Sequence, residues 1–383
     1  MSEEIDNKIF VHYQMPIYEK EKRIKICEES FIEIKNFIKL LRSQGYKNKI
    51  IFILNHVWEM TTHDELNFLQ QFFNQKFKKY NINFFLLYNF TEGNGTLPDN
   101  VVQYNFFQNK TVYISTARNQ KTSTVWNSSK FKGLLLTGKP NRIQRVLPLK
   151  HLLDSNLLNN ENMEWSFFYI EENKNNIKKM LNFNEEQLQE FVSRVLRNPD
   201  NIVNVTDTTD FNYYGFPYDC NLYNSTSWSL ISETSVEPGA HLISEKTYRA
   251  IINKHPFIFF AQSHSEKFLR ECGYRTFEYC YPYQYDIIKN VEDRIAAAIK
   301  NVIFLKENWK TLDFNRINAD VEYNYKTLLE KMNKEQIDLI EKLKFVDGDL
   351  LCDLMNYTNE GFLQNNVKDI IEGKNHIIYY DWI

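Results

Sequence analysis

Apolar residues recur at helical spacing through residues 28–45 (EESFIEIKNFIKLLRSQG), and Gly45 stands where a helix C-terminal cap belongs. The uninterrupted apolar run KIIFILNH (49–56) follows and reads as a buried parallel strand. Thr62 with Glu65 forms a capping-box pattern that opens a helix toward Tyr80. NFFLLYNF (83–90) is the next strand, closed by the turn-forming Glu92-Gly93-Asn94-Gly95. Strand, helix and strand at this spacing predict right-handed βαβ units on a parallel sheet.

Residues 117–130 are polar and without period, and the alternation restarts after them. GLLLTGKP (133–140) reads as a strand running into a turn, 141–158 as a helix, EWSFFYI (164–170) as a strand and 184–197 as a helix. Sharper still is the series STSWSLISETS (strand), SEKTYRAIINK (helix), PFIFFAQ (strand) and SEKFLREC (helix), with a short strand expected over 275–279. Beyond Pro282 the spacing turns helical at 286–307, 318–343 and 348–372, and the YYDWI end reads as an apolar anchor on the body. The expected fold class is α/β: two Rossmann-like domains facing a cleft, over 1–125 and 126–345. A C-terminal helix and tail, 346–383, would pack on the body.

At 383 residues, 43% of them hydrophobic, the chain has length and apolar content for two such cores. A formal net charge of −3 supplies no global basic field for nucleic acid, although Lys and Arg at 46–49 and 75–79 leave room for a local patch. The five cysteines are odd in number, scattered and free of CxxC pairs, which suits reduced thiols. The polar start MSEEIDNK and the lack of any 18-residue apolar window lead to the expectation of a cytoplasmic protein without a membrane partner.

The stretch with most chemistry in it is Ser229–Phe277. A strand ends in Ser232-Glu233-Thr234, a loop with Pro238 and Gly239 follows, and a helix opens at Ser244-Glu245-Lys246. Ser244 suits an N-cap, and the free N–H groups and positive dipole end behind it suit a phosphate, with Lys246 adding a full charge. Glu245 or Glu233 is placed to accept hydrogen bonds from ribose or sugar hydroxyls. The competing reading is a capped surface helix with a solvated Glu-Lys pair.

This segment resembles a motif of glycosyltransferases encoded by large phages, itself similar to the donor-site motif of fucosyltransferases. The elements that carry the resemblance are Ser232-Glu233-Thr234, Ser244-Glu245-Lys246, Lys254-His255-Pro256-Phe257, and Leu269 through Gly273-Tyr274-Arg275-Thr276-Phe277. The resemblance implies a GT-B architecture in which Lys246 contacts the donor diphosphate and Glu245 its ribose or sugar. Ser244 departs mildly from the Tyr or Thr usual before Glu-Lys. A weaker match covers Gly133–Ser166, where a strand and a basic turn precede a Leu-rich helix, with Gln144 standing where the group tends to have His. Lys139, Arg142 and Arg145 crowd that helix start, which disfavours the helix dipole unless an anion binds there; the alternative is a solvated basic turn.

A transferase also needs a base for the acceptor hydroxyl. The residues after the 49–56 strand offer His56, Glu59, His63 and Asp64, with Glu92 after the next strand, each equally readable as a polar loop or capping residue. The run Phe211–Tyr223 is either a packed aromatic loop or a stacking platform. Asp347-Gly348-Asp349 sits between helices and reads as a turn, not a metal-bridging pair. GxGxxG, GxxxxGK[ST], HExxH and GxSxG are all absent, against dinucleotide, P-loop, zinc-protease and hydrolase chemistry.

The resulting expectation is a metal-independent glycosyltransferase with no cofactor beyond its nucleotide-sugar co-substrate. Domain 126–345 would hold the donor and 1–125 the acceptor, either a hydroxymethylated base in phage DNA or a glycan. The alternative is a non-catalytic nucleotide- or glycan-binding module on a transferase-like fold.

Overall fold

The computed structural model describes residues 8–14, 23–43, 49–56, 63–78, 83–88, 101–103, 126, 129–137, 141–166, 170–196, 220–234, 236, 241, 243–343 and 377–380. The chain forms two compact units, Met1–Phe106 together with Lys334–Ile383, and Phe107–Asn333.

The first unit carries strands β1 (Lys8–Gln14), β2 (Lys49–His56), β3 (Asn83–Tyr88), β4 (Val101–Gln103) and β9 (Ile377–Tyr380). They pair in the order β4-β3-β2-β1-β9, every pair parallel. Helix α1 (Arg23–Ser43) buries Cys27, Phe31, Ile34 and Ile38, and α2 (His63–Lys78) buries Leu66, Leu69, Phe73 and Phe77. These three- and four-residue steps are the apolar stripes of amphipathic helices, and Phe31 meets Phe77 with ring centroids 5.9 Å apart. The end of the chain returns as a fifth strand beside β1, where the sequence reading has only an apolar tail.

The second unit is built on β5 (Gly133–Leu136), β6 (Met163–Ser166), β7 (Trp228–Ser232) and β8 (Phe257–Phe260), in the order β6-β5-β7-β8 and all parallel. Every residue of β7 and β8 is buried, as expected for parallel strands covered on both faces. Helices α3 (Ile143–Asp154), α4 (Ile170–Leu181), α5 (Glu185–Leu196), α6 (Cys220–Ser225), α7 (Glu245–Ile252) and α8 (Ser265–Glu271) intervene. The long helices α9 (Val291–Glu307) and α10 (Phe314–Leu343) follow.

The fold class is therefore α/β, with two Rossmann-type parallel sheets and a helical region after β8. Two expectations need correction. Residues 275–279 are not a strand: Thr276 and Phe277 lead into a 3-10 turn at Glu278–Cys280, held where the Arg275 N–H donates to Asn324 Oδ1 at 2.7 Å. The strand expected over 164–170 ends at Ser166, and helix α4 begins at Ile170 and runs on through residues that have no element in the sequence reading. The expected 348–372 helix and most of the aromatic 211–223 run lie outside the described residues.

Aromatic packing gathers at the amino ends of the second sheet. Trp228 meets Phe277 and Trp309 at 5.8 and 6.3 Å, Trp126 meets Trp309 at 5.7 Å, and Phe257 meets Phe277 at 5.1 Å. The Trp126 indole N–H donates to the Ser227 carbonyl at 2.7 Å. With that end of the sheet filled by rings, the polar residues collect at the other.

Candidate functional site

The second sheet reverses its winding between β5 and β7. From β5 the chain passes through α3 to β6 on one side, and from β7 through α7 to β8 on the other. Open parallel sheets form a crevice outside the carboxyl ends of the strands at such a reversal. The residues that leave β5 and β7 and open α3 and α7 meet there.

Arg142 is the extended N-cap of α3, and its side chain donates to the Thr234 carbonyl instead of capping its own helix. Gln144, 2% exposed, donates from Nε2 to the Glu233 carbonyl at 2.9 Å and to the Thr234 carbonyl at 3.0 Å. Pro148 lies four residues on inside α3 and has no N–H to give the Gln144 carbonyl. The Ser232 hydroxyl donates to that carbonyl instead, at 2.8 Å.

Glu233, 3% exposed, closes the next layer. Its Oε1 accepts from the Ser244 N–H at 3.2 Å and the Thr247 hydroxyl at 2.5 Å, and its Oε2 from the Thr234 N–H at 3.2 Å. Ser244 caps α7 as its sequence suggests, accepting from the Lys246 N–H at 3.3 Å. Lys246 Nζ donates to Glu245 Oε1 at 2.7 Å and to Ser244 Oγ at 3.3 Å, and the Glu245 and Lys246 side chains are only 14% and 17% exposed.

Burial pushes the Glu245 carboxyl up, but Lys246 and Arg249 outweigh it and hold the group below its usual value, so Glu245 is ionised. Burial and then Arg142 pull the Arg145 guanidinium below its ordinary value, with Glu245 and Glu233 pulling the other way. Arg142, Arg145, Lys246 and Arg249 thus share one neighbourhood with Glu233 and Glu245, beside the positive ends of α3 and α7. A cavity of about 20 Å³, enough for a water molecule, is lined by Leu134, Leu136, Tyr223, Ile231, Lys246 and Arg249, among others.

Of the residues singled out in the sequence, Arg142, Arg145, Glu233, Ser244, Glu245 and Lys246 come together here, while Lys139 lies outside the described residues. In the first unit, His56 ends β2 opposite Tyr88, Asp64 lies in the first turn of α2, and Glu59 is outside the described residues. Arg249 was missed by the sequence reading. Its signal was there in helical spacing, three residues after Lys246 and four after Glu245.

The later half of the resembling motif is structural. Leu269 and Phe277 are fully buried, and Gly273 takes φ +85 after α8. His255 lies 2.7 Å from Ser229 Oγ through Nδ1, and burial lowers it to about 4, leaving it neutral in the core.

No family model matches the chain, and no curated protein matches its sequence. Among solved structures it is similar to a trehalose-6-phosphate synthase, OtsA, at 12% identity and TM-score 0.38, covering 89% of this chain and 73% of that one. An α,α-trehalose 6-phosphate synthase from Burkholderia multivorans is similar at 10% identity and TM-score 0.35, with 86% and 77% covered. A UDP-forming α,α-trehalose-phosphate synthase from Burkholderia xenovorans gives 8% identity and TM-score 0.32, with 84% and 80% covered. No helix among the described residues is long and apolar enough to cross a membrane.

Proposed function

We propose that the second unit binds the diphosphate of a nucleotide-sugar and that the chain transfers the sugar to a hydroxyl acceptor. The observation that carries this reading is the convergence of basic side chains from two helix starts on the winding reversal of a parallel sheet. The resemblance of Ser229–Phe277 to glycosyltransferase donor sites supports it independently.

In this reading Lys246 and Arg145, backed by Arg142 and Arg249, take the phosphate oxygens, and Glu245 takes a ribose or sugar hydroxyl. Glu233 is a positioning residue, because both its oxygens already accept from the protein. During transfer the bond from the anomeric carbon to the diphosphate breaks with its electron pair leaving on phosphate. The acceptor oxygen forms the new bond and gives its proton to a base. Fixed cations stabilise the charge gathering on the departing diphosphate, so the transfer is proposed to run without a divalent ion. His56, Glu59 and Asp64 are the proposed bases, and a hydroxymethylated DNA base or a glycan the proposed acceptors.

Thermal melts with UDP, GDP, CDP and ADP, and with sugar conjugates of each, test the donor site. A nucleotide present at ten to a hundred times its dissociation constant stabilises the fold by about 1.4–2.7 kcal/mol. We expect one nucleotide to do so in the wild type and Lys246→Ala to abolish the shift. Silence from the whole panel would sink the donor-site reading, and nucleotide binding without turnover on any acceptor would leave a binding module.

A further inference from the structure

We infer that Gln144 is a positioning residue for the anion site, fastening the end of β7 to the start of α3 so that cations from two helices face one ligand. The inference rests on the diphosphate reading above. Gln144 makes its bonds with both ends of the residue. Its amide donates to two consecutive carbonyls, Glu233 and Thr234, and its own carbonyl, denied a helical donor by Pro148, accepts from Ser232. The bonded positions are 88 to 90 residues away in sequence and consecutive along the end of β7.

From there the connection runs on without a gap. Glu233 accepts from Ser244 and Thr247, the cap and first turn of α7. Arg142 and Arg145 stand on one side of this chain of bonds, and Lys246 and Arg249 on the other. Like charges among these cations repel, and this framework of fixed bonds adds to the attraction of Glu245 and Glu233 in keeping them converged before an anion arrives. Arg142 and Ser232 also bond across this junction, but among the described residues Gln144 is the side chain that donates to two consecutive carbonyls at the end of β7. Its role is to fix the spacing; it does not touch the ligand.

Calorimetric titration of inorganic pyrophosphate into the full chain tests this, with Gln144→Leu, Gln144→His and Gln144→Glu compared at one ionic strength. Leucine keeps the volume and loses both donated bonds, so pyrophosphate binding should weaken about tenfold. Histidine retains one N–H and should fall between leucine and wild type. Glutamate points acceptors at two carbonyls and should bind most weakly. A residue that merely fills space would give leucine the wild-type affinity and no such ranking. Hydrogen exchange over 243–247 should quicken in Gln144→Leu while the strand segments stay protected, and this holds as a readout even where affinity is low. Equal affinity and equal exchange in wild type and Gln144→Leu would overturn the inference and leave the site standing. Wild-type protein that ignores pyrophosphate would overturn the diphosphate reading itself.

Discussion

Glu245→Gln distinguishes an acid that only neutralises Lys246 from one that also holds a hydroxyl of the donor. Two unit charges 4 Å apart interact by about 4 kcal/mol at an effective dielectric constant of 20. Glu245 is ionised and paired with Lys246 at 2.7 Å, with both side chains mostly buried, so a phosphate beside Lys246 feels the carboxylate strongly. A bound phosphate lies farther from the carboxylate than Lys246 does, and salt of physiological strength screens over about 8 Å, leaving a repulsion of about 1–2 kcal/mol. Removing it should tighten pyrophosphate binding about five- to thirtyfold. A nucleoside diphosphate should gain less or lose affinity, since a hydroxyl hydrogen-bonded to a charged acceptor contributes about 1.5–3 kcal/mol. Titration of both ligands into wild type and variant gives the two affinity ratios directly. If pyrophosphate weakens in Glu245→Gln, the electrostatic account of the site is wrong. If both ligands tighten equally, Glu245 holds no ribose hydroxyl.

Two further predictions concern stability. Burial pushes Glu266 up to about 7 from 4.5, against hydrogen bonds from the Tyr281 and Tyr285 hydroxyls at 2.6 Å each. The folded state then holds a proton the unfolded state releases, so this group's contribution is lost as pH rises from about 4.5 through about 7. Glu266→Gln should therefore gain about 3 kcal/mol on wild type at pH 8 relative to pH 4.5, read from urea midpoints; a difference that stays flat with pH would refute the raised value. A Cβ at Gly133 would lie 2.5 Å from Met163 Sδ and 3.1 Å from Leu230 Cδ1, both side chains buried. Gly133→Ala should cost about 1–3 kcal/mol of stability, and an unchanged melting temperature would show that Met163 has room to move.

Hydrophobic period alone was enough to place most of the described elements. KIIFILNH is β2 end to end, and the helix expected over 184–197 is found at Glu185–Leu196, because continuous apolar runs and 3.6-residue stripes are local signals. The Ser244 cap was equally legible, since a cap is set by residues two or three positions apart. Residues 275–279 misled: Tyr274, Thr276 and Phe277 are buried and strand-like in composition, yet the Arg275 N–H and carbonyl bond the Asn324 side chain from α10 instead of a neighbouring strand.

The sequence by itself determined which residues have the chemistry of the proposed anion site: the basic start of α3 and the Ser-Glu-Lys start of α7. Only the tertiary structure decided which of them lie together. The winding reversal that joins β5 to β7 brings Arg142 and Gln144 against Thr234, a pairing no local pattern encodes. It also turned Glu233 from an apparent ligand contact into an internal acceptor and placed Arg249 on the cavity wall beside Lys246. Local spacing fixes a residue's element and its face, but its partners depend on sheet order, which long-range pairing settles.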